Sequence, residues 1–91
     1  MVNFSMEKID TLRKRLLYQS QHRGMKEMDL VLGGFAGRFL HTMTNQELLQ
    51  FEDLLAIPDQ DLYSWFFEGQ EIPDSAPRKL IEMIRLKSGI K

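Results

Sequence analysis

The chain has 91 residues, of which 43% are hydrophobic and 27% are charged, a balance typical of a soluble globular domain and unlike that of a disordered segment. Twelve Lys and Arg residues against thirteen Asp and Glu residues give a net charge of -1, so the chain lacks the basic field that would attract nucleic acid or an anionic membrane. The absence of cysteine excludes disulfides, thiolate metal sites and cysteine nucleophiles.

Metal binding, export and membrane insertion find no support in the sequence. The two histidines, His22 and His41, are too few and too far apart for a metal site. The N-terminal segment MVNFSMEKID lacks both the apolar core of a signal peptide and the Arg- and Ser-rich, acid-poor composition of a transit peptide. No apolar run approaches the ~18 residues that a membrane-spanning helix needs. We therefore expect no metal and no membrane insertion, in a protein of the bacterial cytoplasm or, if the chain is a processed organellar form, of the mitochondrial matrix.

Apolar residues recur at helical spacing along the chain, and nothing alternates convincingly with a period of two. In the first segment, Ile9, Leu12 and Leu16 share one stripe behind Ser5, which suits the N-cap position. Short loops favour antiparallel neighbours, and no repeat divides the chain. The predicted fold class is therefore all-α, a compact five-helix bundle in a single domain. The expected helices lie near residues 5–21, 25–42, 45–56, 58–68 and 76–88.

Residues with strong positional preferences mark the helix boundaries. Thr44 and Glu47 have the spacing of a capping box, in which each side chain accepts a hydrogen bond from the backbone amide of the other residue. Pro58 suits the first turn of the fourth helix, since the amide that it lacks would be unpaired there. The remaining boundary residues are Gly69 at the end of the fourth helix, Ser75 as the cap of the fifth and Gly89 at its end.

The second helix has an apolar face and an unusual back. At about 100° per residue, its core face comprises Met28, Val31, Leu32, Phe35, Ala36 and Phe39. The opposite arc comprises Lys26, Glu27, Leu30, Gly33, Gly34 and Gly37. An interior glycine costs a helix about 0.5 to 1 kcal/mol relative to alanine. Either these glycines let another helix of the same domain approach closely, or they form a docking face for another protein, with Leu30 as its apolar contact.

The break between the first two helices places Arg23, Gly24 and Glu27 close together. The guanidinium of Arg23 is a fixed fork of donors that can bind a carboxylate or a phosphate, and free amides at the helix start add to that capacity. Two interpretations are open: a local Arg23–Glu27 ion pair with Gly24 turning the chain, or an accessible docking site. No nucleophile and base accompany these residues, and a histidine beside a surface turn, such as His22, is more often solvated than catalytic. We expect no catalytic residue.

A dense aromatic group, Tyr63, Trp65, Phe66 and Phe67, lies in the predicted fourth helix. So wide an apolar arc exceeds what one short helix can bury, but core packing is its expected use. The six methionines would suit either adaptable packing or an adaptable binding surface, and their number does not decide between the two.

Two segments together resemble a known family. HRGMKEMDLVLGGFA and LLAIPDQDLYSWFF are similar to the small succinate dehydrogenase assembly factors, also called flavinators, of bacteria and mitochondria. The hallmark of that family is an Arg-Gly-x-x-Glu motif at the start of the second helix, matched here by Arg23, Gly24 and Glu27. The similarity extends over about residues 7–87. It includes an acidic residue after the motif and a DxDLxxW segment, namely Asp29, Asp59, Asp61, Leu62 and Trp65.

The resemblance implies a five-helix fold and a helper protein that is not an enzyme. It implies binding to the flavoprotein subunit of succinate dehydrogenase, with fumarate reductase as a further client, and promotion of covalent FAD attachment to a histidine of that subunit. FAD is then attached to the client, and no phosphate-cradling glycine loop supports tight FAD binding by this chain. The family pattern makes Arg23, Gly24 and Glu27 the contact surface. The predicted partner-binding set adds the bordering residues Lys26, Asp29 and Leu30.

Two other functions remain open at this point. MEKIDTLRKRLL is similar to the opening of helical chorismate mutases, but those enzymes need a longer first helix than Gly24 permits and several cationic residues around a dicarboxylate. The other alternative is an antitoxin-like or regulatory protein-interaction module, since members of the flavinator family have been labelled antitoxins. The near-neutral charge and the acidic fourth helix disfavour direct DNA contact, because non-specific affinity depends on clustered Lys and Arg. We therefore expect no nucleic-acid partner.

Overall fold

The protein folds into five α-helices in the computed structural model, which describes residues 4–90 and the side chains of residues 8–90. No strand occurs in that range, and none of its helices combines the length and apolar character needed to cross a bilayer. The prediction of an all-α, five-helix domain is confirmed. The elements are α1 (Phe4–Gln21), α2 (Lys26–Phe39), a single 3-10 turn (Leu40–Thr42), α3 (Asn45–Leu55), α4 (Asp59–Phe67) and α5 (Arg78–Lys87).

Most of the predicted boundary residues take the expected positions. The Thr44 side chain accepts a hydrogen bond from the Glu47 amide at 3.2 Å, and the Glu47 carboxylate accepts one from the Thr44 amide at 2.8 Å, which completes the capping box of α3. Pro58 lies one residue earlier than expected, because it is the N-cap of α4 and not part of its first turn. Gly69 and Gly89 follow α4 and α5 with φ values of 70° and 73°, a left-handed conformation that glycine adopts without strain.

Two of the predicted caps are wrong. The chain is already helical one residue before Ser5, so that residue lies inside α1. Ser75 belongs to a turn in which the Ala76 amide donates to the Pro73 carbonyl at 3.1 Å, and α5 begins only at Arg78. The last expected turn of the second helix is also different, since it tightens into the 3-10 turn, as is common at helix C-termini.

The second helix, α2, is the central element and packs against α1, α4 and α5. Its predicted core face is buried, except that Phe39 at its end is half-buried. As α2 advances from Gly33 to Leu40, its neighbours in α1 recede from Gln21 to Arg13, so the two helices are antiparallel. The other helices complete the core with Leu16, Leu48, Phe51, Leu54, Leu62, Phe66, Leu80, Ile81 and Ile84.

The three glycines on the back of α2 have two different surroundings. Gly33 is buried against α1, where a β-carbon would lie 3.0 Å from the Gln21 Cγ and 3.3 Å from the Ser20 carbonyl oxygen. At Gly34 and Gly37 a β-carbon would meet no heavy atom within 4 Å, and both residues are exposed. Close helix packing therefore explains the first glycine and leaves the other two without an internal reason.

The aromatic group of α4 is only partly in the core. Phe66 is fully buried, and Tyr63 and Trp65 are half-buried against the core. The Phe67 ring lies 5.0 Å from the Tyr63 ring and is 42% exposed. Core packing thus holds for three of the four rings, and the short helix leaves Phe67 at the surface.

Candidate functional site

The link between α1 and α2, residues 22–25, is tied to the start of α4 by Arg23. The Arg23 Nε lies 2.6 Å from the Asp59 Oδ1. The two terminal nitrogens donate to the carbonyls of Leu55 and Ile57, the latter at 2.7 Å. Only 12% of the Arg23 side chain and 18% of the Asp59 side chain are exposed. Each of the three guanidinium nitrogens therefore donates one hydrogen bond inside the fold, two of them to carbonyls at or just after the end of α3, where helical carbonyls need donors.

Two carboxylates fix the backbone of this link. The Arg23 amide donates to the Asp29 Oδ1, and the Met25 amide donates to the Asp59 Oδ2 at 3.1 Å. Met25 is the N-cap residue of α2 and makes no side-chain capping bond. The amides of Arg23 and Met25, which lie just before α2, therefore find their acceptors further along the chain, which gives both acidic residues a structural use.

The interpretation of a local Arg23–Glu27 ion pair is wrong. Within the described part of the chain, no hydrogen bond or ion pair joins the two side chains. Arg23 turns towards the end of α3 and the start of α4, where a carboxylate and two carbonyls accept from it. Glu27 lies in the first turn of α2 and faces solvent.

The other predicted site residues lie at or near the surface beside this link. Asp29 is half-buried, whereas Gly24, Lys26 and Glu27 are exposed, and Leu30 is 67% exposed. Among the side chains described, those of residues 8–90, neither Lys26 nor Glu27 has a hydrogen-bonding or ion-pair partner. We refer to the four exposed residues as the corner. The corner thus presents one acidic, one basic and one apolar side chain beside a glycine.

Neither the backbone conformation at Gly24 nor packing within the fold requires a glycine at this position. Its φ lies outside the left-handed region, in which only Gly69 and Gly89 are found among the described residues. A β-carbon on Gly24 would lie 3.7 Å from the Asp59 Oδ2, an ordinary van der Waals distance, with nothing nearer. The fold would therefore accept a small side chain here, and the glycine leaves a segment of backbone bare beside Lys26 and Glu27.

A cleft of about 560 Å³ adjoins Gly24, between α1, α3 and the link. Tyr18 lies on its wall, is 63% exposed and stacks on His22 with 3.9 Å between ring centroids. Arg15 and Glu52 form an ion pair across the cleft, from α1 to α3. This wall was not predicted from the sequence, although Tyr18 and His22 have the i, i+4 spacing that brings two rings together on a helix.

The chemistry of the site is that of recognition. His22 is held in place because its Nδ1 donates to the Tyr18 carbonyl at 2.7 Å. In the range whose side chains are described, residues 8–90, no group of three His, Cys, Asp or Glu side chains is placed to hold a metal ion. The site consists of a hydrogen-bonded α1–α2 link and a corner that presents unpaired charges of both signs, an apolar side chain and exposed glycine backbone. These features together suit binding to a protein surface.

Comparison with known proteins finds one family. A sequence model described as flavinator of succinate dehydrogenase matches residues 14–88. Succinate dehydrogenase assembly factor 2, mitochondrial, from Dictyostelium discoideum is 37% identical over 84 residues, 92% of this chain and 60% of that protein. The protein of the same name from Saccharomyces cerevisiae is 40% identical over 83 residues, 87% of this chain and 51% of that protein. The FAD assembly factor SdhE of Acetobacter pasteurianus is 35% identical over 81 residues, 85% of this chain and 74% of that protein.

The matched segments cover most of the length of this chain but a smaller share of the length of its relatives. The chain spans about half the length of the mitochondrial relatives. The region that matches the family includes the α1–α2 link, the corner and the start of α4. The chain belongs to the family of flavinators of succinate dehydrogenase.

Proposed function

We propose that this chain binds the flavoprotein subunit of succinate dehydrogenase and promotes covalent attachment of FAD to it, without being an enzyme itself. Membership of the flavinator family supports the proposal, as do relatives named as an assembly factor for succinate dehydrogenase and as an FAD assembly factor. We extend it to the flavoprotein subunit of fumarate reductase as a further client. FAD is attached to the client, and we propose no tightly bound cofactor for this chain.

The observation that carries the proposal is the corner, and Gly24 within it. Neither backbone conformation nor internal packing requires glycine at this position, and bare backbone is what a closely approaching partner needs. Lys26 and Glu27 can each pair with an opposite charge on the client without first breaking a pair within the described chain. Leu30 adds an exposed apolar contact. These features support a contact surface at the predicted partner-binding residues.

The contribution of the chain is positioning. The links made by Arg23, Asp29 and Asp59 hold the corner in one shape before a client arrives, so less freedom is lost on binding. FAD and the client supply the bond-forming chemistry, and holding the reacting groups in the right geometry accelerates it. A rigid binding surface is therefore sufficient for the proposed role.

Deleting the gene for this chain should lower covalent flavin on the succinate dehydrogenase flavoprotein. The expected result is weaker flavin fluorescence of the denatured subunit on a gel, at unchanged amounts of subunit measured by immunoblot, with recovery when the gene is returned on a plasmid. Fluorescence at the normal level in the deletion strain contradicts the proposed function.

Gly24→Leu and Glu27→Ala should each weaken capture of the purified flavoprotein subunit by at least about tenfold, as expected for residues at the centre of an interface. Gly24→Leu places a side chain where the client backbone approaches, and Glu27→Ala removes an unpaired carboxylate. Affinity is measured by titration calorimetry, and helicity by circular dichroism.

The matched control is Glu71→Ala, which removes an exposed carboxylate from the loop between α4 and α5 and should leave the affinity unchanged. If Gly24→Leu and Glu27→Ala unfold the protein, the motif is structural and the contact surface has been placed wrongly. Folded variants that bind like the wild type lead to the same conclusion.

A further inference from the structure

A second opening lies between α1 and α2, towards the C-terminal end of α2 and away from the corner. It is a shallow groove of about 170 Å³. Leu17, Ala36 and Leu40 form its apolar walls, and Gly37 lies at its edge. An apolar cavity of about 150 Å³ takes up benzene, so the groove has room for one Leu, Met or Phe side chain of a partner.

The rim of this groove is basic. Lys14 and His41 are exposed and have no hydrogen-bonding or ion-pair partner within residues 8–90, whose side chains are described. Arg13 is half-buried: its Nη2 donates to the Met43 carbonyl at 3.0 Å, and its Nη1 lies 3.6 Å from the exposed Asp10 carboxylate. The Arg13 Nε is buried and makes no hydrogen bond with the described chain. No carboxylate lines the groove itself, so its charge is complementary to an acidic partner.

The open glycines of α2 connect the groove to the corner. Leu30, Gly34 and Gly37 follow one another at i, i+4 and i+7, which places them in one strip along the helix. The strip begins one turn after Glu27 and ends at the groove. Leu30 is 67% exposed, and both glycines face open space. A glycine strip lets the backbone of a second helix come close, in the manner of a helix bound in a groove.

We propose that the groove and the strip form a second docking surface, which receives an acidic amphipathic helix of the same client flavoprotein. One large apolar side chain of that helix enters the groove, and a neighbouring carboxylate pairs with Lys14. The partner is assigned from the basic rim and from the continuity of the strip with the corner. The inference rests on the proposed function, because it concerns the same client.

The test uses purified full-length chain and the purified flavoprotein subunit. Gly37→Leu places a side chain of this chain at the mouth of the groove and should weaken binding at least about tenfold. Lys14→Glu should weaken binding several-fold at low salt, with the difference shrinking as salt screens the charges. The control is Lys79→Glu, the same charge change at an exposed position of α5, which should bind like the wild type. Circular dichroism confirms that each variant is folded.

The possible outcomes separate the two proposals. If Gly37→Leu and Lys14→Glu bind like the wild type while Gly24→Leu does not, the docking surface is overturned and the proposed function stands. If the wild type does not bind the flavoprotein, both are overturned. If analytical ultracentrifugation shows a dimer that Gly37→Leu abolishes while client affinity is unchanged, the groove belongs to a second copy of this chain, and the inference is wrong.

Discussion

Replacing Arg23 with alanine is expected to lower the free energy of unfolding by about 3 kcal/mol, because it leaves a nearly buried carboxylate without its partner. Asp59 would lose the guanidinium that lies 2.6 Å away, and the carbonyls of Leu55 and Ile57 would lose their donors. A domain of this size has a total stability on the order of 5–10 kcal/mol. The midpoint of thermal unfolding should therefore fall by on the order of 15 °C.

Two further variants calibrate this effect in urea unfolding experiments. Arg15→Ala also removes an arginine–carboxylate pair, but Arg15 and Glu52 are 46% and 37% exposed, so the loss should stay below about 1 kcal/mol. Arg23→Lys keeps the charge, yet one ammonium cannot reproduce the fork, and an intermediate loss of about 1–2 kcal/mol is expected. Equal losses for Arg23→Ala and Arg15→Ala would show that Arg23 is an ordinary surface residue.

The same substitution at the adjacent glycines Gly33 and Gly34 of α2 should change the stability of the protein in opposite directions. Gly33→Leu is expected to destabilise the protein by about 3 kcal/mol, because it forces α1 away from α2. The nearest atoms include the backbone of Ser20 and Gln21 at 3.3 Å, which cannot move as a flexible side chain can. Gly34→Leu adds a good helix former over open space and should stabilise the protein by up to about 1 kcal/mol.

Thermal unfolding followed by circular dichroism measures both variants. Since the two positions are adjacent in one helix, helix propensity is matched and only the surroundings differ. A Gly33→Leu protein as stable as Gly34→Leu would mean that α1 and α2 do not approach each other closely at this point.

Much of the fold was predictable because its signals are local. The capping box of Thr44 and Glu47 involves two residues only three positions apart, and the glycines after α4 and α5 act on their own helix ends. The core face of α2 followed from the helical period alone. Ser75 failed as a cap because the turn closed by the Ala76 amide delays the start of α5, and nothing in the spacing of residues reveals such a turn.

The candidate site was less predictable because its contacts are long-range. In the sequence, Glu27 is the acidic residue nearest to Arg23. The actual partner, Asp59, is 36 residues away at the start of α4. The resemblance pointed to both aspartates without giving a reason, and the structure supplies one: Asp29 and Asp59 accept from the link backbone. The six partner-binding residues stay a prediction for the experiments above.

Hydrogen bonds from Arg23 and Met25 to Asp59 connect the α1–α2 link to α4. The conformation of the corner therefore depends on α4 being folded in place. A copy whose fourth helix had come away would lose the Asp59 carboxylate, which accepts hydrogen bonds from the Arg23 Nε and the Met25 amide. Its corner would no longer have the shape described above, so the proposed client contact would require a folded α4. By the same linkage, a client bound at the proposed contact surface would suppress local opening of α4.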